Sequence, residues 1–573
     1  MKQYIVGLVR TFSARERLVF FVAVAVAIIS GLFVGLYALQ RATFVVPDVG
    51  GSYSEGVVGQ PSFVNPILAK DGTPDKDLVA LTFANIPSIA QSIKYSDDFK
   101  VWTVRIKDDA VWHDESSITS DDILFTVQMI KNPDTLSPLF ADWQNITATR
   151  VSEREVRFEL LNSYALFENI LRELYPVPKK LFADLSPSTL KLSSYNLEPV
   201  GSGPFMFDGL SRRKDGFVEE YTFKAFEKYS AIGKAPYMKK FSIKFFENEE
   251  RLVRAYNLGI IDGFGTYNPA LLDGLKIHFT VRDVPSTKYY AAFFNAHAYV
   301  PLASRQTRQA LSLAVDKSAI INIVMAGRGS VLNGPVPSSL HVYDAEVESY
   351  YSFDRQKARE LLGSAGWEWN QETNEWTQGT SVLRLSLTVP DLFPLREIAG
   401  QLKVYWEALG IPTSVSVLDP SVVSGEIIRT RNYEVLVFGN ILSREPDPYS
   451  FWHSSERFYP GLNLSLYENA SVDSAIIALR SAQVGSARRA QLFSIVQDDV
   501  AADYPALFIA SSRYLYVTKG NIPGIAIHDI ALPHQRFDNV TEWYLKTRRV
   551  FSRPTLQEQE ETSSLPTDAP TGQ

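Results

Sequence analysis

The chain has 573 residues, more than one hydrophobic core organises, so several domains are expected. Hydrophobic residues at 45% and charged residues at 21% are ordinary for a folded protein, and a net charge of −7 supplies no basic excess for displacing counterions from phosphate, which argues against nucleic acid as a partner. Cysteine is absent, which excludes disulfides, thiolate metal sites, a Cys nucleophile and a lipid-modified Cys anchor. The histidines (His113, His278, His297, His341, His453, His528 and His534) are scattered without a spacing that puts two ligands on one helix face, so neither a metal site nor a cofactor is indicated.

Leu18 to Leu39 is an uncharged apolar run of 22 residues. At about 1.5 Å per residue it is long enough to cross a hydrocarbon layer of roughly 30 Å. Lys2, Arg10, Arg15 and Arg17 precede it and only Arg41 follows closely, so residues 1–17 are expected in the cytoplasm and the large remainder outside. A cleaved signal peptide has an apolar region of about 7–15 residues ending in a small-x-small site. This run is longer and closes on Leu-Tyr-Ala-Leu-Gln-Arg, so the reading is an uncleaved single-pass anchor over residues 18–39.

Beyond the anchor, Asp77 is expected to cap a helix with Leu78, Leu81 and Thr82 on its inward face. Trp102 to Ile106 alternates apolar and polar residues as a half-buried strand does. Lys107-Asp108-Asp109 turns the chain, Val111-Trp112-His113-Asp114 forms a short extended piece, and Thr119 with Asp122 makes a capping box for a helix with Ile123, Val127 and Ile130 inside. Glu155–Leu160 and Phe241–Phe246 read as strands, and Asn248 to Leu258 as a helix ending at Gly259. Between them Pro199-Val200-Gly201-Ser202-Gly203-Pro204 is a rigid turn. Tyr289 to Asn295 is an apolar strand ending in Asn295, whose side chain suits capping its own turn or meeting ligand. Helices follow over Arg305–Met325, Asp354–Leu362 and Glu397–Ala408, then strands at Thr413–Leu418, Val435–Phe438 and Tyr514–Val517. Arg553 to Gln573 is expected to be a disordered acidic tail. No G-x-x-x-x-G-K-[ST] or G-x-S-x-G is present, so any ATP hydrolysis would belong to another chain and a hydrolase is disfavoured.

The stretch from Trp102 to Lys131, with Val111-Trp112-His113-Asp114 and Thr119-Ser120-Asp121-Asp122, resembles the signature of the bacterial extracellular solute-binding proteins of family 5. The family usually has Gly where Glu115 stands here. The glycine turn at 201–203, the Tyr289–Asn295 strand, Arg308 and Asp316 in their helix pair, and the strand entering Gly439 follow in the family's order. The resemblance implies an α/β, two-lobed periplasmic-binding-protein-like fold (class II) with an extra subdomain, behind the N-terminal transmembrane helix. Expected boundaries are 42–90 and 200–285 for lobe I, 91–199 for the extra subdomain, 286–510 for lobe II, and 511–550 for the return to lobe I.

The same resemblance places a ligand-facing edge near Tyr53, Ser54 and Glu55, and a second at Phe438, Gly439, Asn440, Ile441, Leu442, Arg444 and Asp447. Asn295 completes the candidates. Family members that hold a free peptide N-terminus use an Asp a few residues before the acidic-Pro step. Here Arg444 occupies that place and suits a carboxylate, unless a shifted loop lets Glu445 or Asp447 take an amine. The implied function is peptide capture and delivery to an ABC permease with its ATPase subunits. Alternatives are an oligosaccharide, nickel chelate or haem ligand, or a surface receptor without transport.

Overall fold

The computed structural model describes residues 13–231 and 233–551, so Lys2, Arg10 and the acidic tail from Arg553 lie outside the described residues. In chain order the strands are β1 (Phe44–Asp48), β2 (Ser52–Val58), β3 (Ala90–Tyr95), β4 (Val101–Ile106), β5 (Ile146–Ser152), β6 (Glu155–Leu160) and β7 (Phe205–Arg212). Then come β8 (Val218–Ala225), β9 (Lys240–Phe246), β10 (Gly263–Thr266), β11 (Thr280–Phe294) and β12 (Gly329–Val331). A small hairpin sheet follows in β13 (Glu368–Asn370), β14 (Glu375–Gln378) and β15 (Ser381–Val382), and the last strands are β16 (Leu385–Pro390), β17 (Thr413–Leu418), β18 (Val435–Ile441), β19 (Ala506–Thr518) and β20 (Lys546–Val550).

Residues 13–51 and 544–551 belong to one compact unit. Its helix α1 (Ala14–Ala42) starts at a capping box between Ser13 and Glu16, has a mean hydropathy of 2.8 over its apolar window, and buries none of its side chains. It is long and apolar enough to cross a membrane. Directly after it, β1 pairs antiparallel with β20, Phe44 opposite Val550 and Asp48 opposite Lys546, and Arg549 donates to the Thr43 hydroxyl at 3.0 Å.

Residues 52–543 form the second unit, built on the sheet β17-β16-β18-β11-β19-β10-β2-β9-β8-β7. Two lobes share this sheet because β11 and β19 run through both. On the lobe I side Thr280 faces Thr518 and Val284 faces Tyr514; after a break in register between Pro285 and Tyr289, Tyr290 faces Ala510 in lobe II. Side-chain alternation along β11 then divides the interior of lobe II. Tyr290, Ala292 and Phe294 enter one core, while Tyr289, Ala291 and Phe293 enter another on the opposite face.

The extra α/β piece carries its own sheet, β3-β4-β6-β5. Helix α2 (Pro74–Thr82) packs on the lobe I core, and α3 (Ser120–Lys131) belongs to this extra piece. Asp122 accepts the Thr119 backbone N–H at 2.8 Å, closing the expected capping box of α3. His113 ties the extra piece to the glycine turn. Its Nδ1 accepts the Gly201 N–H at 3.2 Å, its Nε2 lies 3.0 Å from the Gly203 carbonyl, and its ring meets Phe226 edge-on. Gly201 is required there because a Cβ would sit 1.9 Å from the Thr82 carbonyl oxygen. The turn packs on the backbone of Leu81 to Phe83.

One expected cap is different. Thr73, not Asp77, occupies the N-cap of α2, and Asp77 lies inside the helix facing Arg536. Helix termination elsewhere follows the glycines, with Gly259, Gly366 and Gly410 all at positive φ just past a helix end.

Candidate functional site

The site is built where β11 crosses between lobes, because three segments distant in sequence meet there. Ser286 bridges to Ile530, the Thr287 N–H donates to the Ile530 carbonyl at 3.0 Å, and the Thr287 hydroxyl donates to the Leu442 carbonyl. Thus the return segment of lobe I and the loop after β18 both close on the register break of β11.

The register of β11 with β18 sorts the candidates. Lys288 pairs with Ile441, Tyr289 with Asn440, Tyr290 with Gly439 and Ala291 with Phe438. Opposed residues in an antiparallel pair share a face. Gly439 and Ile441 therefore lie on the face of Lys288 and Tyr290, and Ile441 is 39% exposed there. Gly439 lets the Tyr290 ring lie against bare backbone, since a Cβ would stand 3.1 Å from its Cδ1. Phe438, Asn440 and Leu442 turn the other way: Phe438 and Leu442 join the second lobe II core, and Asn440 donates to the Tyr289 hydroxyl at 2.9 Å.

Tyr53 and Glu55 are placed in the lobe I interior, not on an open edge. Arg536 donates to Glu55 Oε1 at 2.8 Å and forks onto both oxygens of Asp77 at 2.8 Å, while the Tyr53 and Tyr516 hydroxyls both reach Glu55 Oε2. Burial pushes the Glu55 carboxyl up from its ordinary value, and the Arg536 guanidinium offsets this only in part. The side-chain polar atoms of Tyr53 and Glu55 are all engaged by protein partners. Ser54 faces the opposite side, bonded to the Ser242 hydroxyl and, through its N–H, to Asp262. Asn295 is also engaged: Oδ1 accepts the N–H groups of His297 and Ala298, and Nδ2 donates to the Arg431 carbonyl. It caps its own turn.

Arg444 holds carboxylates, but they are the protein's own. Its Nε donates to Asp529, Nη1 lies 3.2 Å from Asp538 Oδ2, and Nη2 donates to the Asp529 carbonyl at 3.1 Å. Because Arg444 belongs to lobe II and both aspartates to the return segment of lobe I, these contacts join the lobes. Asp447 pairs with Arg480 at 3.2 Å and accepts the Tyr449 N–H. Arg480 in turn stacks on Tyr164 of the extra piece, and Asn169 donates to the Glu445 carbonyl at 2.8 Å. The whole loop 443–449 thus bridges to the lobe I side.

Lys288, which no local sequence signal marks, is the cation at this crossing without a carboxylate. Among the described residues its ammonium has only ring faces beside it, those of Tyr267 from lobe I at 5.2 Å and Tyr290 from lobe II at 5.3 Å. Burial alone pushes its pKa down. The surface grooves of about 310 Å³ and 750 Å³ lie elsewhere, along β8, β9 and the Glu249–Asn257 helix, and their Arg213, Glu247 and Arg251 are paired with one another.

The fold has matches among known proteins. The family model of bacterial extracellular solute-binding proteins, family 5, matches residues 85–458. The chain belongs to this family. Among relatives of this solute-binding protein, the oligopeptide-binding protein AppA of Bacillus subtilis is 23% identical over 521 residues, covering 87% of this chain and 92% of the relative. Di/tripeptide-binding protein 1 of Pseudomonas aeruginosa is 29% identical over 355 residues, 56% of this chain and 64% of the relative. The solved structure of the ABC transporter substrate-binding protein CtaP of Listeria monocytogenes superposes with a TM-score of 0.73 at 23% identity, covering 87% of this chain and all (100%) of that one. The two-lobed fold expected from the sequence is therefore the fold observed.

Proposed function

We propose that this solute-binding protein is held at the outer face of a cell membrane by α1, captures peptides between its lobes, and delivers them to an ABC permease. The observation that carries the reading is the crossing of β11 and β19 between two separate cores, bridged by Arg444, which gives lobes that can part and close without unfolding either core. The oligopeptide and di/tripeptide names of the relatives support a peptide as the ligand class. An extended peptide satisfies its backbone by strand-like hydrogen bonds, which makes affinity tolerant of sequence. Closure on ligand then presents a changed surface to the permease. The anchor raises the local concentration of receptor around that permease.

The test is to purify the full chain in detergent without added ligand, release bound molecules by denaturation, and identify them by mass spectrometry. A ladder of short peptides is the expected result. A single non-peptide species would overturn the peptide reading in favour of a nickel chelate, haem or sugar, ligands of the first two kinds being named for a matched structure and a matched relative. An empty protein that also ignores a peptide library would favour a receptor without transport.

A further inference from the structure

Lys288 differs from the other cations of the interlobe region, which pair with carboxylates or, as Arg489 does, donate to backbone carbonyls. Arg444 has Asp529 and Asp538, Arg480 has Asp447, Arg513 and Arg328 share Asp283, and Arg536 has Glu55 and Asp77. Lys288 has no carboxylate and no hydrogen-bonded oxygen for its ammonium among the described residues, only the Tyr267 and Tyr290 rings. A half-buried ammonium loses hydration, and ring faces return only part of it. An uncharged chain such as Met would fill the same space at less cost. A lone cation in this place therefore calls for a partner that arrives from outside.

The surroundings point the same way. The hydroxyls of the two flanking rings have serine hydroxyls as their neighbours, Tyr267 Oη with Ser286 and Tyr290 Oη with Ser512, so neither ring brings a carboxylate to Lys288. Ile441, opposite Lys288 on β18, is partly exposed, so this face opens toward solvent. One ring comes from lobe I and the other from lobe II, so a group bound here touches both lobes.

We propose that Lys288, flanked by the Tyr267 and Tyr290 rings, is the seat of a ligand carboxylate between the lobes. This deepens the peptide-binding reading and rests on it for the class of molecule. The carboxylate is either the C-terminus of a peptide or an acidic side chain, and both carry the same chemistry. The role of carboxylate holder, for which sequence favours Arg444, thereby falls to a residue on β11.

The experiment presents the full chain in detergent with a pentapeptide library made in two forms, free acid and C-terminal amide, together with a panel of sugar acids and dicarboxylates, and identifies what is retained. Wild type is expected to favour free acids over amides by about tenfold or more, K288M to lose that preference, and K288R to keep most of it. K288M should fold with an unchanged or higher urea midpoint. Y267F, which removes one hydroxyl and no charge, should reduce the preference without abolishing it and serves as the test should K288M not fold. Retention of acidic peptides regardless of amidation, lost in K288M, assigns the seat to an acidic side chain and supports the proposal. Retention of sugar acids alone, lost in K288M, supports the carboxylate seat and overturns the peptide reading. The same peptides retained at the same acid-to-amide ratio by wild type and K288M overturn the seat and leave the peptide reading standing.

Discussion

His113 has one protonation state compatible with its place. Nδ1 accepts an N–H from Gly201, so it carries no proton, and Nε2 must donate to the Gly203 carbonyl. The ring is buried, and burial lowers its pKa from 6.5 to about 4. The folded value lies below the unfolded one, so between these pH values the unfolded chain binds the extra proton. The contribution of the neutral ring is intact above pH 6.5 and is lost as pH falls toward 4, by about 3 kcal/mol in total. A series of urea unfolding midpoints from pH 7.5 to 4 should show this loss. H113L should be less stable at pH 7.5, through two lost hydrogen bonds, yet show a flatter decline with acid. An equally steep decline in H113L would assign the acid sensitivity to other groups. Arg536 illustrates the opposite situation at the same scale: it is buried with two carboxylates, and removing it would leave both uncompensated at about 3–5 kcal/mol.

Elements whose cause is local were legible in the sequence. Period-two alternation located β4, β6 and β9, the Thr119–Asp122 spacing located the start of α3, and glycine located helix ends, because each depends on residues within one turn or one strand. What depends on register across distant segments was not. Asp77 reads as a cap because its partner Arg536 is 459 residues away. Lys288 reads as one polar residue before an apolar run, and nothing local reveals that Tyr267 lies over it or that Arg444 is already paired. The burial of Tyr53 and Glu55 was illegible for the same reason, since their partners Tyr516 and Arg536 lie on later segments. One local departure has a measurable consequence. Glu115 follows the His113-Asp114 corner with φ of +68°, the left-handed region where the resembling family has Gly. Its exposed ion pair with Lys228 contributes little in water. E115G should therefore raise the urea midpoint by the equivalent of about 1 kcal/mol, while E115A should leave it unchanged or lower it.

At the scale of the whole molecule, the separation of cores decides what moves. Lobe I and lobe II each bury their own apolar residues, so parting them breaks mainly the contacts of the 443–449 loop and the group around Lys288. The principal charged contacts there are those of Arg444 with Asp529 and Asp538, whose side chains are 47%, 31% and 51% exposed. Pairs this exposed contribute about 1 kcal/mol at most after screening by water and salt. If they favour the closed arrangement, R444M should weaken ligand binding by about fivefold and raise the radius of gyration of the unliganded protein in solution scattering. The stronger check is a cycle. D529N/D538N removes the same ion pairs from the other side and leaves only the neutral Arg444 bond to the Asp529 carbonyl, so adding R444M to that pair should cost little further affinity. Additive losses would mean that Arg444 and the aspartates act on ligand separately, and the bridge would then have no part in closure.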